Sequence, residues 1–373
     1  MASVVDPFGL RDAAPEATAV IDGDRTVSYA ELVALVAAAA RDIGAAPAGL
    51  MVLGIDIALE PIVSYLAALS AGRTVLLVDP ATSQDVVSTL MERYRPALVR
   101  GVAAAADVDP SGSPRTDLLP SGPTVLLGTS GSTGSPKVVR LPYVAVDANA
   151  SSIAAALQLG PTERAALSLP LFYSYGLSVL NSHLRVGATV VAARDAVTSR
   201  PFWTTFDGAG CTSFAGVPYT YAMLQRMRIR PADHPSLRTM TQAGGKLDVD
   251  TRRHFHAAMS EVGGRFIVMY GQTEATARMS VLPHECFHDH EASVGWAIPG
   301  GRFEIVDPDG RPCDVGVEGD VVYEGTPSRS PTWSRPINSV ADSTRETEDG
   351  WPPTGPCGSP GGRSGSARSS ARV

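Results

Sequence analysis

The sequence predicts an α/β fold with a largely parallel sheet, followed by a small antiparallel β unit. Short apolar runs rich in β-branched residues, such as "MVLGIDI" (51–57) and "TVLLVD" (74–79), alternate with stretches of helical pattern. Strands that alternate with helices pair in parallel. From about residue 294 the texture changes to "VGWAIPGGRFEIVDPDGRPCDVGVEGDVVYEG", whose strand alternation and Asp-Gly turns mark antiparallel pairing. The 373 residues, 44% of them hydrophobic, can fill two globular subdomains, since domains run to roughly 100–200 residues.

Residues 16–36, "EATAVIDGDRTVSYAELVALV", read as a short strand, a turn at Asp22-Gly23, and a helix. Ser28 is placed to cap that helix, and Glu31 stands three residues later, the spacing of a capping box. The runs at 51–57 and 74–79 are strands. "TVLLGTS" (124–130) is a buried strand that enters a loop rich in Ser, Thr and Gly. "LQLGPTERAALSLPLF" (157–172) holds a turn and a further strand, and "GATVVAA" (187–193), "CTSFAGVP" (211–218) and "RFIVMYG" (265–271) are strands. Helices are expected at 143–157, 218–228 and 249–262. No internal repeat is evident.

Charge and targeting signals narrow the function. The net charge is −7 with no Lys/Arg run, which disfavours nucleic acid as a partner. The four cysteines, Cys211, Cys286, Cys313 and Cys357, are scattered without a CxxC pair, so their spacing marks neither a zinc knuckle nor a disulfide scaffold. The start lacks a basic segment followed by an apolar one, and no run of about twenty apolar residues occurs. The expectation is a cytoplasmic protein without a membrane partner. "HECFHDHE" (284–291) offers His284, His288, His290 and Glu291. Without partner ligands in the sequence it reads as solvated loop rather than metal site.

The stretch with the strongest chemical signal is "LGTSGSTGSPKVV" (127–139). It follows a buried strand and returns to ordered texture, unlike a linker. Glycines let consecutive N–H groups turn toward an anion, hydroxyls add donors, and Lys137 adds charge. It is neither a Walker A loop nor a dinucleotide fingerprint.

The order Thr-Ser-Gly-Ser-Thr-Gly-Ser-Pro-Lys resembles the phosphate loop of the adenylate-forming enzymes: acyl-CoA synthetases, peptide-synthetase adenylation domains and firefly luciferase. Further motifs follow in that family's order. "MYGQTEATAR" (269–278) resembles its Tyr-Gly-x-Thr-Glu motif, and "TQAGGKLD" (241–248) its glycine-rich adenine-side loop. "LPLFYSYGL" (169–177) and "SFAGVPYTYAML" (213–224) resemble the strand-and-turn segment and the helix start that line the acyl pocket. "GWAIPGGRFEIVDPDGRP" (295–312) resembles the start of the small β subdomain.

The resemblance covers about residues 1–325. It implies two stacked, mostly parallel α/β subdomains plus a small antiparallel β subdomain, together forming the AMP-binding large domain. It implies ATP-dependent activation of a small carboxylic acid to an acyl-adenylate. ATP and Mg²⁺ would be the cofactors, and coenzyme A or carrier-protein phosphopantetheine the candidate acceptor. By resemblance, Thr129, Ser130, Gly131, Ser132, Thr133 and Gly134 wrap the phosphates and Lys137 stabilises that loop. Thr273 bonds the α-phosphate, and Glu274 holds the metal. Tyr270 stacks on adenine beside Gly271 and Gln272, while Gly244 and Gly245 admit the base. Tyr173, Ser174, Tyr175, Phe214, Gly216 and Val217 are the acyl-pocket candidates. Tyr173 stands where many acyl-CoA synthetases carry His. No Asp is evident to grip an α-amino group, which tilts the expectation toward an aryl or fatty acid.

The resemblance ends near residue 325. In "DGWPPTGPCG" (349–358), Pro356 occupies the place of the family's ribose-binding Asp, and a proline cannot accept those hydrogen bonds. By the resemblance, a mobile C-terminal domain with a catalytic lysine would follow, and the expectation is that residues 326–373 do not supply it. Residues 326–373 are rich in Ser, Pro, Arg and Gly, and residues 351–373 hold three arginines and no acid. The expectation is a disordered tail from truncation or an out-of-frame reading, with activity impaired. Two alternatives stay open: a non-catalytic nucleotide- or acyl-binding remnant, or a split ligase completed by a separate C-terminal domain.

Overall fold

The computed structural model describes residues 5–107, 113–116, 119–120, 122–129 and 137–325. The expected tail, 326–373, lies outside the described residues. The chain divides into two compact units, Met1–Ala215 and Gly216–Val373.

In the first unit, β1 (Thr18–Asp22) and β2 (Arg25–Ser28) form an antiparallel hairpin leading into α1 (Tyr29–Ala45). The start of α1 follows from its sequence: the Ser28 hydroxyl accepts from Glu31 N at 3.2 Å, and Ser28 N donates to the Glu31 carboxylate at 2.8 Å. This reciprocal box satisfies two donors that a helix start otherwise leaves open. Those bonds hold the Glu31 carboxyl below its ordinary range.

β3 (Met51–Gly54), α2 (Leu59–Ser70), β4 (Thr74–Val78), α3 (Gln84–Tyr94) and β5 (Leu98–Arg100) follow. Then come β6 (Thr124–Thr129) and β7 (Lys137–Pro142). These strands form a five-stranded sheet in the order β5-β3-β4-β6-β7, parallel except for β7. Leu50, Val52, Leu76 and Leu126 meet Val87, Leu90 and Met91 of α3 in one buried cluster. Strands that pack against helices need continuous apolar runs rather than alternation, which is why "TVLLV" was readable.

The unit continues with α4 (Tyr143–Leu157), β8 (Arg164–Leu167), α5 (Ser174–Leu184), β9 (Thr189–Ala192), α6 (Arg200–Gly208) and β10 (Ser213–Gly216). Here β10, β8, β9 and β1 run parallel in that order, with β2 antiparallel at the edge. The segment 169–177, expected as strand and turn, is a turn followed directly by the first residues of α5. Every residue of α5 is buried. A helix with no wet face carries no 3.6-residue polar period to betray it.

In the second unit, α7 (Pro218–Met227) precedes β11 (Thr239–Gln242), α8 (Val249–Glu261) and β12 (Arg265–Tyr270). β13 (Ser280–Leu282) and β14 (Trp296–Ala297) complete a run in which β11 and β12 are parallel and β13 and β14 antiparallel. The small antiparallel unit is β15 (Gly301–Val306) paired with β16 (Asp320–Gly325). The unit's core is aromatic. Tyr221 meets Phe255 edge-on at 4.9 Å and Phe266 at 5.5 Å, and its hydroxyl donates to Thr241 O at 2.7 Å. Asp248 caps α8 by accepting from Thr251 N at 2.8 Å, which holds its carboxyl below the usual range. No described helix is long and apolar enough to cross a membrane.

Candidate functional site

In the first unit the Ser/Thr/Gly-rich stretch is the connection of a hairpin. β6 and β7 pair from Thr124↔Pro142 through to Thr129↔Lys137. The loop thus leaves and returns at one point, at the C-terminal end of a parallel strand. Open α/β sheets place ligands beyond those ends. Val125, Leu126 and Leu127 are buried and anchor the stem. Ser130, Gly131, Ser132, Thr133 and Gly134 lie outside the described residues, as do the side chains of Thr129 and Lys137.

In the second unit, Tyr270 ends β12 and the chain turns at once through Gly271 and Gln272 into a 3₁₀ turn, Thr273–Ala275. The turn is closed by its own backbone. Ala275 N and Ala277 N both donate to Gln272 O, at 3.1 and 3.2 Å, and Thr276 N donates to Thr273 O at 3.1 Å. Thr276 and Ala277 sit at φ 63° and 112°, a left-handed backbone that costs non-glycine residues energy. Gly271 is required: a Cβ there would lie 1.8 Å from Ala277 O. Glu274 is exposed, while Tyr270, Gln272 and Thr273 are half-buried. Burial pushes the Tyr270 phenol up.

The neighbouring parallel strand delivers the glycines. β11 ends at Gln242, and Gly244 and Gly245 follow at φ 78° and 157°. Since Gln242 pairs in register with Val268 of β12, the glycine turn and Tyr270 emerge at the same end of adjacent strands. Ala243 N donates to Gly216 O at 3.3 Å, which brings Gly216 beside the turn, and Val217 caps α7. Gly216, Val217, Gly244, Gly245 and Tyr270 through Glu274 are therefore gathered in this unit.

The remaining pocket candidates belong to the first unit. Tyr173 precedes α5 and is 38% exposed, while Ser174 and Tyr175 are buried in the first turn. Burial pushes the Tyr173 phenol up. Phe214 is 1% exposed and packs against Phe202 and Trp203, with ring centroids 6.0 and 5.8 Å away.

The histidine segment is only in part the solvated loop the sequence suggests: Glu285, His288 and Asp289 are exposed, but His284 is drawn into the fold. His284 Nδ1 accepts from Phe266 N at 3.0 Å, its Nε2 meets Ser260 Oγ at 3.2 Å, and its ring stacks on His256 at 4.0 Å. Among the described residues no group of three His, Cys, Asp or Glu is set to hold a metal. The segment is a structural latch between α8 and β12.

Two residues escaped the sequence reading. Gln242 is 1% exposed and donates from Nε2 to Gly245 O at 2.8 Å. Arg278 is 2% exposed, with Nη1 3.2 Å from Met269 Sδ. A charged residue inside the apolar run "ARMSVL" was the available signal for the second. The first stands inside the glycine-rich stretch "TQAGGKLD", with no signal of its own side-chain role.

A family model described as "AMP-binding enzyme" matches residues 102–328. The chain belongs to that family. The chain is 30% identical to a sulfoacetate–CoA ligase from Cupriavidus necator, over 66% of the chain and 47% of the ligase. It is 27% identical to a feruloyl-CoA synthase from an Amycolatopsis species, over 75% of the chain and 55% of that protein. The chain thus spans about half the length of these curated relatives. Its fold matches o-succinylbenzoate CoA synthetase from Bacillus subtilis, solved with the acyl-adenylate intermediate OSB-AMP. The TM-score is 0.70 at 21% identity, covering 85% of this chain and 68% of that one.

Proposed function

We propose that this AMP-binding enzyme uses ATP to activate a carboxylic acid as its acyl-adenylate. The observation that carries the reading is that the Gly244–Gly245 turn and the Tyr270–Glu274 turn leave the same end of the adjacent parallel strands β11 and β12. A glycine backbone with no side chain in the way, at the same strand end as a half-buried aromatic ring, suits a flat base. An exposed carboxylate one residue past a threonine would suit a hard cation that accompanies phosphate.

In the reaction, a carboxylate oxygen of the acid attacks the α-phosphorus of ATP. An O–P bond forms, the bond to the β-phosphate oxygen breaks, and pyrophosphate leaves with that electron pair. Little covalent chemistry falls to the protein, so positioning and charge neutralisation dominate. Tyr270, Gly244 and Gly245 orient the nucleotide. Thr273 donates to the α-phosphate, and the Thr129–Gly134 loop with Lys137 steadies the departing phosphates.

Glu274 would supply an oxygen ligand for Mg²⁺, and the ion would neutralise phosphate charge. One exposed carboxylate fits that ion, which commonly takes one or two protein carboxylates plus phosphate oxygens. Residues 1–325 serve as the nucleotide-binding large domain in this reading. A coenzyme A or carrier-protein thiol serves as acceptor of the acyl group.

The test is acid-dependent ATP–pyrophosphate exchange. The panel spans aryl, fatty, amino and sulfonated acids, since relatives are named for ferulate and sulfoacetate. Exchange with one acid class, falling about 10²–10³-fold in Glu274→Ala, is the expected result. ATP binding without exchange for any acid would replace this reading with that of a nucleotide-binding protein. Exchange restored by a separately expressed C-terminal domain of a relative would identify a split ligase.

A further inference from the structure

We propose that Gln242 is a positioning residue, a side-chain clamp that holds the Gly244–Gly245 turn in the shape that receives the nucleotide. The inference rests on the ATP-dependent reading above and adds a residue to it.

Gln242 closes β11 and is 1% exposed. Its Nε2 donates to Gly245 O at 2.8 Å, tying the strand end to the carbonyl three residues on. The two ends of the amide are not interchangeable, because a carbonyl can only accept. The other end, Oε1, is buried and has no hydrogen-bond partner among the described residues. A buried acceptor without a donor forfeits its hydration and weakens the fold. A methionine of similar shape would fill the same space without that penalty. The amide is therefore a poor choice for packing and a good one for making a single bond to the turn.

That bond matters because of what it restrains. Gly244 and Gly245 lie at φ 78° and 157°, regions where glycine rotates freely. Their surroundings limit that freedom. Ala243 N donates to Gly216 O at 3.3 Å, and a Cβ on Gly245 would stand 3.1 Å from Pro218 Cγ. The Gln242 amide turns the Gly245 carbonyl inward. Gly244 is left exposed between these anchors. A backbone surface fixed before binding spares a ligand the entropy of ordering it.

The experiment compares the full chain with Gln242→Met in three measurements: thermal midpoint, amide hydrogen exchange across 243–246 without nucleotide, and ATP affinity by calorimetry. The expected result is an unchanged or higher midpoint, faster exchange in the turn, and ATP affinity weaker by about tenfold. Gln242→Glu adds a readout that a packing role cannot move. Its protonated carboxyl can donate to Gly245 O and its carboxylate cannot, so ATP affinity should recover as pH falls.

If the parent binds ATP and Gln242→Met binds it equally well, the clamp is overturned while the nucleotide reading stands. If the midpoint falls and Gln242→Glu shows no recovery in acid, Gln242 is a packing residue and the proposal is wrong. If the parent does not bind ATP, the nucleotide reading fails, and the positioning role fails with it.

Discussion

Gly271 lies so close to Ala277 that a Cβ on it would stand 1.8 Å from the Ala277 carbonyl oxygen and 2.7 Å from Arg278 Cα. Both obstacles are backbone, so neither can swing aside. The turn that carries Thr273 and Glu274 folds back on its own origin, and only a residue without a side chain lets it.

Gly271→Ala should therefore lower stability by about 1–3 kcal/mol, the usual cost of overpacking, and abolish measurable ATP binding. Gly160→Ala is the control, since nothing lies within 4 Å of a Cβ there. Chemical denaturation and calorimetry read the two effects. An alanine variant that keeps parental affinity would show that the turn's shape is not what binds nucleotide.

Tyr221→Phe removes the bond to Thr241 O and keeps the ring packing on Phe255 and Phe266. The expected loss is about 1 kcal/mol for one buried hydrogen bond. Phe255→Ala empties the same cluster and should cost about 3–5 kcal/mol. Urea titration of both variants gives the ratio directly. Equal losses would contradict the division between bond and packing.

The latch at His284 makes stability fall in mild acid. Burial, followed by the neighbouring His256 charge, pushes the His284 imidazole down, and burial likewise depresses His256. Protonating Nδ1 of His284 removes the acceptor that Phe266 N uses. Glu285, Glu291, Arg265 and His288 also act on this pair. An imidazole with a depressed folded pKa binds its proton first in the unfolded chain. Its contribution is complete above the ordinary value of about 6.5 and is lost as pH falls through the folded value. The thermal midpoint should drop through that window in the parent, with a smaller drop in His284→Asn. Identical pH profiles would remove the latch from the account.

Much of this fold was legible before any coordinates. The Ser28–Glu31 box follows from local signals, since capping acts within a few residues, and α4 covers the expected 143–157. β7, β11 and α5 were not, because their identity depends on what surrounds them. β7 exists by pairing with β6, and α5 has no polar face. The Tyr270–Glu274 motif was visible as spacing, but its place at the same strand end as Gly244–Gly245 needed the register of β11 on β12. Gln242 and Arg278 act through tertiary neighbours, and a one-dimensional pattern holds no trace of the bond from Gln242 to Gly245. The phosphate-loop residues Ser130 to Gly134 rest on the sequence resemblance.

The central claim is that nucleotide sits at the ends of β11 and β12. Photolabelling with an azido-adenine analogue of ATP, followed by peptide mapping, tests it most directly. Label within 242–248 and 269–275, suppressed by excess ATP, is the expected result. Label concentrated elsewhere, or not displaced by ATP, would contradict it.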